Sequence, residues 1–187
     1  MLIRIEINQI VKYSFVMLVF SFSSNAQAFI HFTEDVYKSN SRCAYAGRIL
    51  GIEAVDNSDE IGVYVNDGNG GKILIGAAVM GATVPGMYYT NIYGNDSTTE
   101  IKDGAFDNEI LIFIFWDNSE NREYTIESSN MSFESQKNLT QPSIPPTFSK
   151  QTTYGLLNLK VEKNNHPPID DNETLYQMIN LLLNMLK

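Results

Sequence analysis

The sequence predicts an all-β fold, two antiparallel sheets packed as a sandwich, followed by a short C-terminal helix. Three observations carry this expectation. Short apolar runs recur at close to the rhythm of about 8–12 residues seen in sandwiches and barrels. Clusters of Asp, Asn, Ser and Gly separate those runs. Apolar residues at helical spacing occur convincingly in one place, near the C-terminus. A length of 187 residues, 43% of them hydrophobic and 19% charged, fits one globular domain with modest extras.

Residues 1–28 read as an export leader. Arg4 and Lys12 form a basic start, diluted by Glu6, and Tyr13 to Phe22 (YSFVMLVFSF) is the apolar stretch. Ala26-Gln27-Ala28 then supplies a small-residue cleavage site. Ser21, Ser23, Ser24, Asn25 and Gln27 interrupt the run before it reaches the roughly 20 apolar residues of a spanning helix. Cleavage leaves a chain that starts at Phe29, is secreted or periplasmic, and does not span a membrane. The loss of Arg4, Lys12 and Glu6 from 13 basic and 22 acidic groups leaves 11 and 21, a net charge of −10.

The β-sandwich is assigned to residues 29–163. Its first strand is expected at Arg48–Ala54 (RILGIEA), and its second at Glu60–Val65 (EIGVYV). The turn Asn66–Gly71 follows, whose residues tolerate positive φ, and Lys72–Val79 (KILIGAAV) returns from it. Further strands are expected at Met87–Tyr93, Glu109–Trp116, Glu123–Glu127 and Tyr154–Val161. In Glu109–Trp116, Leu111, Phe113 and Phe115 point one way, and Ile110, Ile112, Ile114 and Trp116 the other. Two apolar faces predict a central strand covered on both sides, by the long loop or by the C-terminal helix. In Met87–Tyr93, by contrast, Tyr88, Thr90 and Ile92 alternate with Tyr89, Asn91 and Tyr93, a pattern that fits one wetter face. Residues 128–152 are rich in Ser, Asn, Gln and Thr, with Pro142, Pro145 and Pro146, and read as a long surface connection or partly disordered loop.

Residues 164–187 are assigned as a linker, Asn164–Pro168, and an amphipathic helix, Asp171–Leu186. Asp170 at the N-cap with Glu173 three residues on makes an Asp version of the capping box. Leu175, Met178, Ile179 and Leu182 form the helix's apolar stripe, which predicts packing on its own domain, self-association or docking into a partner groove.

Composition excludes several functions. A net charge of −9 and a pI near 4.6 repel nucleic acid. One cysteine, Cys43, rules out an intrachain disulfide, and two histidines, His31 and His166, leave no zinc array. Glu109 and Asp117 are the obvious glycosidase pair, but eight residues of strand separate them by about 26 Å, against the ~5–9.5 Å required. No nucleotide-binding glycine loop occurs, since the glycines of residues 68–71 lie between two strands. The chain therefore reads as non-catalytic, with a secreted hydrolase as a third alternative. Two kinds of binding residue remain. Tyr64, Tyr88, Tyr89 and Tyr93 offer flat amphipathic rings for stacking on a sugar face. Asp96 and Asp103 flank a threonine-rich turn, which predicts order through hydrogen bonds or through a calcium ion. No other cofactor is expected.

The segments DEIGVYV (Asp59–Val65), IGAAV (Ile75–Val79), NIYGNDSTTEIKDGAFDNE (Asn91–Glu109) and FIFWD (Phe113–Asp117) together resemble an immunoglobulin-like β-sandwich module of bacterial secreted and surface proteins. The resemblance covers roughly 60 of the 187 residues. Asn95 and Asn108 stand where that module commonly carries Asp and Gly. It implies an immunoglobulin-like fold and an extracellular setting, and no catalytic residues. The expected function is non-catalytic binding or a structural role towards a glycan or protein surface. The alternative is a secreted interaction factor that docks to a partner through its C-terminal helix.

Overall fold

The computed structural model describes residues 28–33, 35–136 and 139–163. The expected helix, with Leu175, Met178, Ile179 and Leu182, lies outside the described residues, as does the leader up to Gln27. Nine strands occur among the described residues: β1 (Arg42–Gly47), β2 (Ile49–Leu50), β3 (Glu60–Asn66), β4 (Lys72–Val79), β5 (Tyr88–Tyr93), β6 (Ile112–Asp117), β7 (Arg122–Thr125), β8 (Met131–Glu134) and β9 (Thr153–Lys160). They form two sheets. One runs β4-β3-β6-β7 and is antiparallel throughout. The other runs β2-β9-β1-β5, with β8 also on β9. The chain is thus all-β and sandwich-like. It is not wholly antiparallel, because β9 runs parallel to β1 and β2. Parallel neighbours need a long connection, and nearly the whole domain intervenes between these strands.

Two expectations need correction. The first strand falls at Arg42–Gly47, ahead of the expected Arg48–Ala54, of which only Ile49–Leu50 is strand. The small residues of RCAYAG carry a weak β signal, yet smallness is what the position requires. A Cβ on Gly47 would lie 1.8 Å from the Leu157 carbonyl oxygen, so β1 approaches β9 too closely for any other residue. The stretch 128–152 is not a loose connection. It contains β8, paired with β9, and a return alongside residues 108–111. There Leu111 N–H donates to Pro146 O (2.9 Å) and Phe148 N–H to Glu109 O (2.9 Å), while the Phe148 ring is buried in the core. Polar composition hid this segment; a single aromatic anchors it.

Alternation along β6 follows the expected pattern. Leu111, Phe113 and Phe115 enter the core between the sheets with Ile61, Val63 and Val65 of β3. Ile112, Ile114 and Trp116 face outward and belong to a second apolar cluster with Phe32, Leu74 and Tyr64. Neither the long loop nor a helix covers this second cluster among the described residues. The segment that covers it is the start of the expected mature chain. Phe32 is 3% exposed and sits over Gly62, where a Cβ would lie 2.7 Å from its ring. His31 stacks on Trp116, with ring centroids 3.7 Å apart and planes 2° from parallel.

Glu60, the first residue of β3, holds this segment in place. Its carboxylate is fully buried and accepts backbone N–H groups from Phe32 (2.9 Å), His31 (3.2 Å) and Ile30. A buried carboxylate is tolerable only when charge-assisted bonds replace its lost water. Phe32→Ala should cost about 3–5 kcal/mol, and Glu60→Ala about 2–3 kcal/mol through the unpaired donors it leaves. Ile30→Ser, at an exposed position, should shift stability by less than about 0.5 kcal/mol. Urea unfolding midpoints of the three variants check this ordering.

Candidate functional site

β5 lies at the edge of its sheet, and its two faces have different fates. Tyr88, Thr90 and Ile92 point inward and are buried. Tyr88 donates its hydroxyl to Leu157 O (2.6 Å), and burial raises its phenol above the ordinary range. It cannot present a ring to a ligand. Tyr64 lies on the opposite sheet, in the apolar cluster with Phe32, at a T-shaped 6.1 Å from that ring. The four tyrosines therefore do not make one platform: the two-residue period of a strand sends Tyr88 and Tyr89 to opposite faces. Tyr89, 42% exposed, and Tyr93 remain, with Asn91 between them on the outward face.

This outward face borders two clefts. One, of about 370 Å³, lies between the N-terminal segment and the β4–β5 edge, and is lined by Phe29, Phe32, Asp35 and Lys38 opposite Tyr89 and Tyr93. The other, of about 410 Å³, is polar and is lined by Asn40, Arg42, Gln151 and Thr152 with Tyr89 and Asn91. Both lie in the size range of small-ligand sites. The N-terminal contribution escaped sequence reasoning, although the run Phe29-Ile30-His31-Phe32 directly after the expected cleavage point was the available signal. The β4–β5 edge is closed against strand addition. A Cβ on Gly76 would stand 2.6 Å from the Asn91 carbonyl oxygen, so the two edges nearly touch.

The acidic residues have structural employment. Asp96 accepts Thr98 N–H (2.8 Å), the Thr98 hydroxyl (2.7 Å) and the Tyr37 hydroxyl (3.0 Å). Asp103 accepts Asp96 N–H (2.9 Å) and the Thr99 hydroxyl (2.8 Å). Three of the four carboxylate oxygens of this pair thus serve the loop itself, and the fourth ties it to Tyr37 of the N-terminal segment. Asp59 ties Val55 N–H (2.7 Å) to Asn118 N–H (3.0 Å), and Asp117 accepts Ser119 N–H (3.0 Å) and Glu120 N–H (3.1 Å) in the β6–β7 turn. Glu109 takes Phe106 N–H (2.9 Å) and pairs with Lys102. Among the described residues no three His, Cys, Asp or Glu side chains group as a metal site. Cys43 is buried, which pushes its thiol up to about 12 and leaves it unreactive.

No family model, curated protein or solved structure matches the chain. Among the described residues no helix is long and apolar enough to cross a membrane.

Two tests follow from the carboxylates. Backbone donors at Asn69 and Gly71 lower the Asp67 carboxyl, Thr98 lowers Asp96, and Lys163 with Tyr124 lowers Glu120. Each lowered group binds protons less readily folded than unfolded. Stability from these groups is present above the ordinary carboxylate range and falls as pH drops below about 4. Thermal melts from neutral to acid pH should show that decline, and Asp96→Asn should flatten part of it. Melting in EDTA and in millimolar calcium should give one temperature, because a bound ion would add RT ln(1 + [L]/Kd) to stability. A rise in calcium would assign an ion to the Asp96–Asp103 loop.

Proposed function

We propose that the chain is an exported, non-catalytic binding domain, and that its ligand is a neutral sugar held in the cleft between Tyr89, Tyr93 and the N-terminal segment. The observation that carries this reading is the meeting of Phe29, Tyr89 and Tyr93 with Asn91, Asp35 and Lys38 in one cleft. Flat rings suit the apolar face of a pyranose, and neighbouring polar groups suit its hydroxyls. Among the described residues the cleft is lined by one acid, Asp35, and one base, Lys38, and the whole chain is acidic, so an uncharged ligand is favoured over an anionic one. Export is supported by the leader pattern of residues 1–28. The turn and clasp duties of Asp59, Glu60, Glu109 and Asp117 leave these acids outside the cleft and support a non-catalytic role.

The finer relation to immunoglobulin-like modules belongs to this proposal. It is supported by the segments Asp59–Val65, Ile75–Val79, Asn91–Glu109 and Phe113–Asp117, and by the two-sheet architecture. In the immunoglobulin arrangement the first strand pairs with the second. Here β1 lies between β5 and β9, a difference that the relation has to accommodate.

A glycan array probed with the chain from Phe29 onward should show capture of neutral glycans. Tyr89→Ala should weaken the captured ligand about tenfold, the worth of one stacked ring, while leaving the melting temperature close to that of the parent because the ring is exposed. An array without any neutral-glycan signal would overturn the proposal.

A further inference from the structure

The aromatic and polar clefts adjoin. Tyr89 and Asn91 line both, so the two clefts meet along β5. The floor on the far side of β5 is β1, where Ala46 is the cross-strand partner of Tyr89 and Ala44 that of Asn91. Ala44 in turn pairs with Thr153 of β9. Asn91, Ala44 and Thr153 thus form a row across three adjacent strands, about 10 Å wide at ~4.8 Å per strand. The small side chains of β1 leave this row shallow, and Asn91, Gln151 and Thr152 put polar groups along it. Backbone bonds hold the far wall: Gln151 N–H donates to Arg42 O (2.5 Å), and Ala44 N–H to Thr152 O (3.0 Å). Gln151 itself takes a left-handed conformation, with φ of 57°, which projects this turn beside β1.

We infer that the site accommodates a linear neutral oligosaccharide rather than a single sugar. One unit stacks in the aromatic cleft at Tyr93 and Tyr89, and the following units cross Asn91 and Ala44 into the polar cleft beside Gln151. The inference rests on the sugar-binding reading of the aromatic cleft and adds the direction and extent of the ligand. Aromatic contact anchors one end. Hydrogen bonding along the polar row rewards each further unit, so affinity rises with chain length until the row is filled. The mixed signs of Asp35, Lys38 and Arg42 along this path disfavour a uniformly charged polymer.

Calorimetry on the chain from Phe29 onward tests this, with the monosaccharide, trisaccharide and hexasaccharide of neutral glucose-, mannose- and N-acetylglucosamine-based series as probes. Affinity should increase from monosaccharide to trisaccharide by about tenfold or more, the worth of one to two hydrogen bonds. Tyr93→Ala should weaken every length alike. Gln151→Ala should leave the monosaccharide unchanged and remove most of the gain with length. Thermal melts of both variants establish that they are folded. Binding that is equal at all lengths, or a length gain untouched by Gln151→Ala, would overturn the extended site while leaving the sugar-binding reading intact. Failure of all three series to bind would overturn both.

Discussion

A strand that is apolar on both faces needs two covers, and β6 is such a strand. Phe113 and Phe115 find the opposing sheet, whereas Ile112, Ile114 and Trp116 look outward to where a two-layer sandwich has nothing more to offer. The cover comes from residues 29–33, a stretch without regular structure of its own. Glu60 makes that possible. Its buried carboxylate supplies acceptors to consecutive backbone N–H groups that no sheet would otherwise satisfy. Phe32 can then descend onto Gly62 and His31 onto Trp116. Clasp and apolar cover depend on each other: the carboxylate is shielded by the segment it binds, and the segment lies flat because the carboxylate binds it.

The same logic runs through other acids of the chain, both buried and half-buried. Asp59 and Asp117 sit at the ends of β3 and β6, where chain reversals leave N–H groups unpaired, and each takes up two or more donors. Asp96 and Asp103 do so within their own loop. An acidic chain such as this one uses many of its carboxylates as acceptors for irregular backbone. Clusters of acids that suggest chemistry in the linear sequence are, in space, separate devices at separate turns. This matters for function because it places these acids outside the cleft, where Asp35 is the carboxylate beside the rings among the described residues.

The N-terminal segment also links folding to the proposed site. Fixed over the β3–β6 face at residues 30–32, it contributes Phe29 from one side of the clasp and Asp35 and Lys38 from the other to one wall of the aromatic cleft. Gly76 lets the β4 and β5 edges close, so that Tyr89 and Tyr93 form the opposite wall instead of a free edge. A cleft assembled from an unstructured strap and an edge strand takes its shape from the buried clasp at Glu60, one layer away.

Local pattern alone determined the all-β class, the β3–β4 hairpin with its return strand at Lys72–Val79, the two-faced nature of β6 and the presence of one wetter face on β5. These are consequences of side-chain alternation and turn chemistry, which act over a few neighbouring residues. Contacts between residues far apart in the chain decided the rest. β1 was illegible because its small residues matter only where β9 presses against them, and residues 128–152 because one ring, Phe148, outweighs a polar composition. The tyrosines separated for a related reason. Sequence lists Tyr64, Tyr88, Tyr89 and Tyr93 as four similar rings, but sheet membership and strand phase send one under the N-terminal strap, one into the core and two to the cleft. Which acids hold backbone, and which end of the chain covers the second face of β6, are questions of partner position, and partner position is a property of the folded chain.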